Sequence, residues 1–131
     1  MRATLLCFLS SLAFSSCTLA RAAEVPQIES VSLIQLIANP DRYEGKLVQV
    51  TGFVVLEFEG NAIYLHREDF ENSLPANGLW LNAAKCNGRG KSFTKGYAIV
   101  AGKFTGTRHG HMGLWSGEIY DVQRCDAWFS R

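Results

Sequence analysis

The stretch HGHMGLWSG, residues 109–117, carries the side chains best suited to chemistry in this chain. His109 and His111 are one residue apart, so in extended backbone both imidazoles lie on one face and can reach a single metal ion. Met112 would add a thioether, which suits a soft ion such as Cu(I). A protein metal site normally has three or four ligands, and His66 is the only other histidine. The pattern therefore makes His109 and His111 weak metal candidates, and we expect no bound cofactor.

The same stretch has the composition of a ligand-binding loop. Its glycines let the backbone approach a ligand closely, and the ring of Trp115 is a typical stacking platform for bases or sugars. In the alternative, the loop is structural. Trp115 then folds back over the domain, because large aromatics are usually well buried, and His111 hydrogen-bonds the backbone. The residues predicted to bind a ligand are aromatic or basic side chains of this loop and of the predicted strands: Tyr64, Trp80, Tyr97, Arg108, His111 and Trp115.

The charges are unevenly distributed along the chain. No acid occurs from residue 83 to 117, and a group of acids precedes that stretch: Glu57, Glu59, Glu68, Asp69 and Glu71. The basic residues of the acid-free stretch are interleaved with aromatics, and they are Lys85, Arg89, Lys91, Lys95, Lys103 and Arg108. This pattern predicts a groove for single-stranded nucleic acid, and an oligosaccharide is the other ligand class that we expect. Solvated loops are the alternative.

The residue types needed for catalysis are not assembled in the sequence. There is no G-x-S-x-G motif, and no free cysteine is expected to act as a nucleophile. The carboxylates of residues 67–71 fall in one polar stretch, which is typical of a solvated turn. We therefore predict a binding module rather than an enzyme, and the alternatives are a protein-binding or envelope-structural module and a small metal-binding protein.

The N-terminus has the pattern of a secretory signal peptide. Arg2 precedes an uncharged apolar run over residues 3–14, and Ala20-Arg21-Ala22 is a small-x-small cleavage site. The run is shorter than the roughly 20 apolar residues that span a bilayer. We predict export to the periplasm or the medium. The alternative is a lipid anchor on Cys17, because the residues before it form an imperfect lipoprotein motif.

Removal of residues 1–22 would leave one small domain, residues 23–131, with two cysteines. This mature chain holds 11 basic and 12 acidic residues, and a net charge of −1 argues against a dedicated polyanion binder. We expect Cys86 and Cys125 to form a disulfide, because two thiols in an oxidising compartment usually pair and no C-x-x-C motif is present. We also expect a monomer with no transmembrane segment in the mature chain.

One helix is predicted before the strands begin. Ser32 and Gln35 have the spacing of a capping box, which starts a helix, and Asn39-Pro40 ends it. Residues 41–46 are predicted to form a turn. Residues 67–72 are predicted to form a single helical turn or a polar crossing between strands.

Five strands account for most of the remaining chain. They are predicted over residues 47–58, 62–66, 79–82, 97–106 and 116–125. In the first strand the even positions from Val48 to Phe58 are apolar except for Gly52, and Gly102 has the matching place in the fourth strand. Glycine within a strand commonly marks a bulge or a tight bend in a barrel. We therefore predict a mainly β fold, a small five-stranded OB-fold-like barrel with an N-terminal helix and one short helical turn.

Four segments of the chain resemble a family of small, largely uncharacterised bacterial proteins, many of them exported. The segments are residues 32–53, 58–72, 97–104 and 110–119, and the helix-Asn-Pro and Gly-His-Met-Gly motifs are the most specific. The resemblance implies an OB-fold-like architecture, similar to the nucleic-acid-binding OB class, and no established activity. The basic segment around Cys86 and the cysteine pair depart from the family's pattern.

Overall fold

The computed structural model of the protein describes residues 27–83, 86–88 and 92–128. The predicted signal peptide, with the lipoprotein motif at Cys17, lies outside the described residues. So do three of the basic residues singled out above, Lys85, Arg89 and Lys91. No helix in the described part of the chain is long and apolar enough to cross a bilayer.

The first helix begins where the sequence predicts. Helix α1 (Leu33–Ala38) is preceded by Ser32, whose hydroxyl accepts a hydrogen bond from the Gln35 backbone N–H at 3.2 Å. The Gln35 side chain in turn accepts one from the Ser32 N–H at 3.0 Å. The capping box is therefore complete, and it fixes the point at which the chain enters the helix.

Two further short helices follow. Helix α2 (Pro40–Tyr43) occupies the first half of the turn predicted over residues 41–46, so that prediction is wrong there. Pro40 ends α1 but suits the first position of α2, where a backbone N–H has no helical partner to lose. Helix α3 (Arg67–Glu71) confirms the predicted helical turn.

The strands close into a barrel. They are β1 (Glu29–Ser30), β2 (Leu47–Val55), β3 (Ala62–Tyr64), β4 (Gly78–Leu81), β5 (Cys86–Asn87), β6 (Ser92–Phe93), β7 (Lys95–Thr105) and β8 (Glu118–Ala127). Around the ring, β2 pairs with β3, β3 with β4, β4 with β8, β8 with β7, and β7 again with β2. The β4–β8 pair is parallel and the other four are antiparallel. The predicted mainly β, five-stranded barrel is confirmed.

The barrel core confirms most of the alternation seen in the sequence. Val48, Val50, Val54 and Leu56 are buried together with Leu33 and Leu36 of α1. Phe58 does not continue this pattern, because β2 ends at Val55 and the Phe58 side chain, in the turn that follows, is 96% exposed. The predicted first strand is therefore three residues too long.

The two strand glycines lie where neighbouring backbone comes close. A Cβ atom at Gly52 would lie 2.5 Å from the backbone oxygen of Tyr64, although the pairing of β2 is regular there. Gly102 lies at a register shift between Ala101 and Lys103, so the predicted irregularity is present at this position. Close packing explains the first glycine, and a bulge explains the second.

A second apolar cluster covers the outer face of the barrel beside β2 and β3. Its members come from the strands, from α3 and from the loop before β8, and they are Phe53, Val55, Ala62, Tyr64, Phe70, Trp80 and Trp115. We call it the outer aromatic cluster. Because of it, the second half of β2 is buried on both faces.

The disulfide between Cys86 and Cys125 is present, as predicted, with Cα atoms 4.7 Å apart. It joins the small hairpin of β5 and β6 to β8, and both half-cystines are buried. The bridge therefore ties β5 to the barrel wall.

Candidate functional site

Trp115 lies inside the outer aromatic cluster and not on an open surface. Only 7% of the residue is exposed, and its indole N–H donates to the Tyr64 hydroxyl at 3.3 Å. The ring of Trp80 meets it edge-on at a centroid distance of 4.9 Å. This placement departs from the expectation of an exposed stacking platform and matches the alternative in which Trp115 packs over the barrel. Burial also raises the pKa of the Tyr64 phenol.

The loop between β7 and β8, residues 106–117, is held at both ends. At its start, the backbone N–H of Gly106 donates to the Glu44 carboxylate at 2.7 Å. At its end, the hydroxyl of Ser116 donates to the Ala76 carbonyl oxygen at 2.6 Å. The Thr105 hydroxyl and the Gly106 N–H lower the pKa of Glu44. The loop is therefore fastened to the turns around it.

His109 and not His111 makes the hydrogen bond that ties the loop to its own backbone. The Nδ1 atom of His109 lies 2.9 Å from the carbonyl oxygen of Trp115, whereas His111 is exposed. The hydrogen bond that we expect of His111 in the structural alternative is therefore made by His109. Because a carbonyl oxygen can only accept, Nδ1 of His109 carries a proton and donates it in this hydrogen bond.

The metal candidates are not joined by a third ligand. In residues 27–83, 86–88 and 92–128, no group of three or more His, Cys, Asp or Glu side chains is placed to hold an ion. His66 lies beside α1, away from the surface groove, described below, that His109 and His111 line. Met112 is 79% exposed.

A groove of about 600 Å³ lies between the turn that follows β2 and the 106–117 loop. We call it the loop groove. Its lining is Glu59, Asn61, Trp80, Arg108, His109, Gly110, His111 and Glu118. The volume falls in the range of about 300–1,000 Å³ that small-molecule sites occupy.

The aromatic wall of the loop groove is fixed by a glycine. Gly110 has φ +64, and a Cβ atom there would lie 2.6 Å from the Trp80 ring. The loop backbone therefore packs directly against the partly buried indole. Only glycine combines this contact with a left-handed backbone at low cost.

The charges of the loop groove are arranged around one guanidinium group. The Nε atom of Arg108 lies 3.2 Å from a carboxylate oxygen of Glu118, whose side chain is 9% exposed. The same guanidinium stacks 4.3 Å above the ring of Tyr120. Arg108 is thus held between a buried acid and an aromatic face, and Glu59 contributes a second carboxylate to the lining.

The six residues predicted to bind a ligand fall in three places. Trp80, Arg108 and His111 line the loop groove together. Tyr64 and Trp115 lie in the outer aromatic cluster. Tyr97 is 36% exposed and packs on Phe53 at 5.3 Å between ring centroids, outside the groove.

Sequence reasoning missed Glu59, Asn61 and Glu118 as lining residues, and it considered His109 only as a metal candidate. Glu59 lies at the tip of the turn after β2, and Glu118 starts β8. Closure of the barrel brings Glu59 and Glu118 to one groove, so no local sequence pattern could have indicated that they lie together. The positive φ of Glu59, 64°, is a structural feature without a sequence motif.

The basic residues do not form an open patch in the described part of the chain. Lys95 pairs with Glu57 at 3.1 Å, and Lys103 with Asp121 at 3.0 Å. The hydrogen bond with Asp121 raises the pKa of Lys103. With the Arg108–Glu118 pair, each described member of the predicted basic groove already has an acidic partner.

Comparison with known proteins adds no relative to this picture. The chain matches no protein-family model, and the searches of curated proteins and of solved structures gave no match.

Proposed function

We propose that this protein is an exported binding module and that its ligand is an oligosaccharide held in the loop groove. The observation that carries the proposal is the composition of that groove. The ring of Trp80 forms one wall, and planar polar side chains, among them Asn61, Arg108 and His109, surround it. A sugar ring presents an apolar face for stacking and hydroxyl groups for hydrogen bonds, and such a site can satisfy both.

The charges of the loop groove favour a sugar over a nucleic acid. Two carboxylates, Glu59 and Glu118, line it, and the one guanidinium among its described lining residues is already paired with Glu118. A phosphate backbone needs a surplus of positive charge. Carboxylates and amides accept hydrogen bonds from sugar hydroxyls without that requirement.

The disulfide supports the export part of the proposal. Disulfides persist in the periplasm and outside cells and are rare in the cytosol. The Cys86–Cys125 bridge is buried in the barrel. It therefore agrees with a signal peptide over residues 1–22, and a lipid anchor at Cys17 would also place the domain outside the cytosol.

Calorimetric titration of the disulfide-bonded protein tests the ligand class. The ligands are linear oligosaccharides of neutral hexose and N-acetylhexosamine units and a single-stranded oligothymidylate of equal length. We expect a sugar to bind, and Trp80→Ala to weaken it by about tenfold or more, as loss of a stacking partner does. Trp128→Ala is the matched control, since Trp128 is 50% exposed and lies outside the loop groove. Tighter, salt-dependent binding of the oligothymidylate would refute the proposal.

A second candidate, a protein-binding or envelope-structural module, is favoured by one observation. The Trp128 backbone N–H donates to the Tyr97 carbonyl oxygen at 2.7 Å, so two exposed aromatic residues lie side by side where β7 starts and β8 ends. Aromatic residues are enriched in protein interfaces. Loss of a partner with Tyr97→Ala/Trp128→Ala, but not with Trp80→Ala, would support this candidate.

A further inference from the structure

A second groove lies away from the loop groove, between α1 and the segment that leads from β3 to the turn at Pro75–Asn77. Its volume is about 320 Å³. One wall is the face of α1 that carries Leu33, Ile34, Ile37 and Ala38. We call it the helix groove. None of its lining residues belongs to the loop groove.

The helix groove exists because α1 has a wider apolar stripe than the barrel covers. Leu33 and Leu36 are fully buried in the core, but Ile34 is 59% exposed. Ile37 is only partly buried, and it lines the groove. An apolar surface left open beside a formed cavity is a typical feature of a ligand site.

The opposite end of the helix groove is polar and fixed. One carboxylate oxygen of Asp69 accepts a hydrogen bond from the His66 backbone N–H at 3.1 Å. The other accepts one from the Asn77 amide at 2.9 Å. Both donors are neutral, so the charge of Asp69 is not balanced by them. Asp69 is the only acidic or basic side chain in the lining besides the histidine, among the residues that the structure describes.

We infer that the helix groove binds a small molecule with a compact apolar group and a neutral or positively charged hydrogen-bonding head. The volume of about 320 Å³ lies at the lower end of the range of about 300–1,000 Å³ that small-molecule sites occupy, so the ligand is small. The apolar group lies against Ile34 and Ile37, and the head faces Asp69 and the imidazole of His66. A carboxylate head would meet the negative charge of Asp69, and it is disfavoured for that reason.

Three ligands that share one ring system test the inference: 1-naphthylmethylamine, 1-naphthylmethanol and 1-naphthoate. Calorimetry on the disulfide-bonded protein should show saturable binding of the amine and the alcohol, and binding of the naphthoate weaker by about tenfold. Asp69→Asn should remove most of the preference for the amine over the naphthoate. Equal affinity for the amine and the naphthoate in the unmodified protein, or no saturable binding, would overturn the inference.

Ala38→Trp tests the location, because Ala38 is exposed and the larger side chain fills the helix groove. The melting temperature should stay close to that of the parent protein, and binding of the amine should weaken by about tenfold or more. Ile34→Asp is a second variant at an exposed position, and it should abolish binding of the alcohol. Undiminished binding in a folded variant of either kind would place the ligand elsewhere. Trp80→Ala, which removes the wall of the loop groove, should leave these affinities unchanged, so the two sites are tested separately.

Discussion

The indole N–H of Trp115 donates a hydrogen bond to the hydroxyl of Tyr64 across 3.3 Å, in the middle of the outer aromatic cluster. This contact joins the loop before β8 to strand β3. It makes the loop part of the packed structure, so the loop groove beside it has a rigid wall. A preformed groove binds its ligand without the cost of ordering a loop.

Loss of Trp115 should therefore be costly to the fold. Trp115→Ala should lower the free energy of unfolding by about 3–5 kcal/mol, as expected for a buried aromatic. Tyr64→Phe keeps the packing and removes one hydrogen bond, so it should cost about 1 kcal/mol. Denaturant unfolding measures both. If Trp115→Ala lowers the free energy of unfolding by less than Tyr64→Phe does, the indole is not packed as described.

Gly110 should tolerate no side chain, because its Cβ would collide with Trp80. Gly113 provides a control that has a positive φ, +69, but no contact, since a Cβ there meets nothing within 4 Å. Gly110, at φ +64 and ψ −158, adds both the contact and a backbone conformation that is essentially restricted to glycine. Gly113→Ala should cost about 1–2 kcal/mol of stability, the price of a left-handed alanine. Gly110→Ala should cost more stability than Gly113→Ala. It should also shift the tryptophan fluorescence of the protein, because the added methyl group displaces the Trp80 ring. Equal effects of the two substitutions would contradict the contact.

The stability that the hydrogen bond between the Gly106 N–H and the Glu44 carboxylate contributes should depend on pH. The pKa of this carboxyl is lowered in the folded protein by the Thr105 hydroxyl and the Gly106 N–H, so its contribution to stability is present at neutral pH. That contribution is lost as the pH falls below about 4.3, the ordinary value for Glu, and through the lowered pKa of the folded state. The difference in unfolding free energy between the parent protein and Glu44→Ala should therefore shrink in acid. If the difference stays constant from neutral to acidic pH, the ionised Glu44 carboxylate does not stabilise the folded protein.

The disulfide should matter to stability through the length of chain that it closes. Cys86 and Cys125 are separated by 39 residues, and the chain-entropy relation gives about 4 kcal/mol for a loop of this size. Unfolding with and without reductant measures the effect. Titration of the unfolded, non-reduced protein should find no free thiol at either position, and two reactive thiols would show that the bridge does not form.

The fold was largely predictable because its determinants are local. The Ser32–Gln35 capping box, the alternation along β2 and the glycine at position 102 each mark a structure within a few residues of themselves. The predictions were wrong mainly about where helices and strands end. The apolar type of Phe58 extended the pattern of β2 beyond its last paired residue, Val55, because alternation does not reveal where pairing stops.

The loop groove was only partly predictable, because it is assembled by barrel closure. Trp80 and Arg108 could be singled out by residue type, but their acidic neighbours Glu59 and Glu118 lie on separate segments. The prominence of Trp115 in a glycine-rich stretch suggested ligand stacking. The structure instead places a hydrogen-bonding partner, Tyr64, beneath it, and single-sequence patterns carry no information on such a contact between distant strands.

Amide chemical-shift mapping during a titration with the tightest-binding oligosaccharide tests the central claim most directly. If the loop groove is the binding site, the largest changes should fall on residues 59–61, on Trp80 and on residues 108–111, with Glu118 affected at the base. Residues that line the helix groove, such as Ile37 and Asn77, should remain unchanged. Changes confined to Tyr97 and Trp128, or no change at a saturating sugar concentration, would contradict the account.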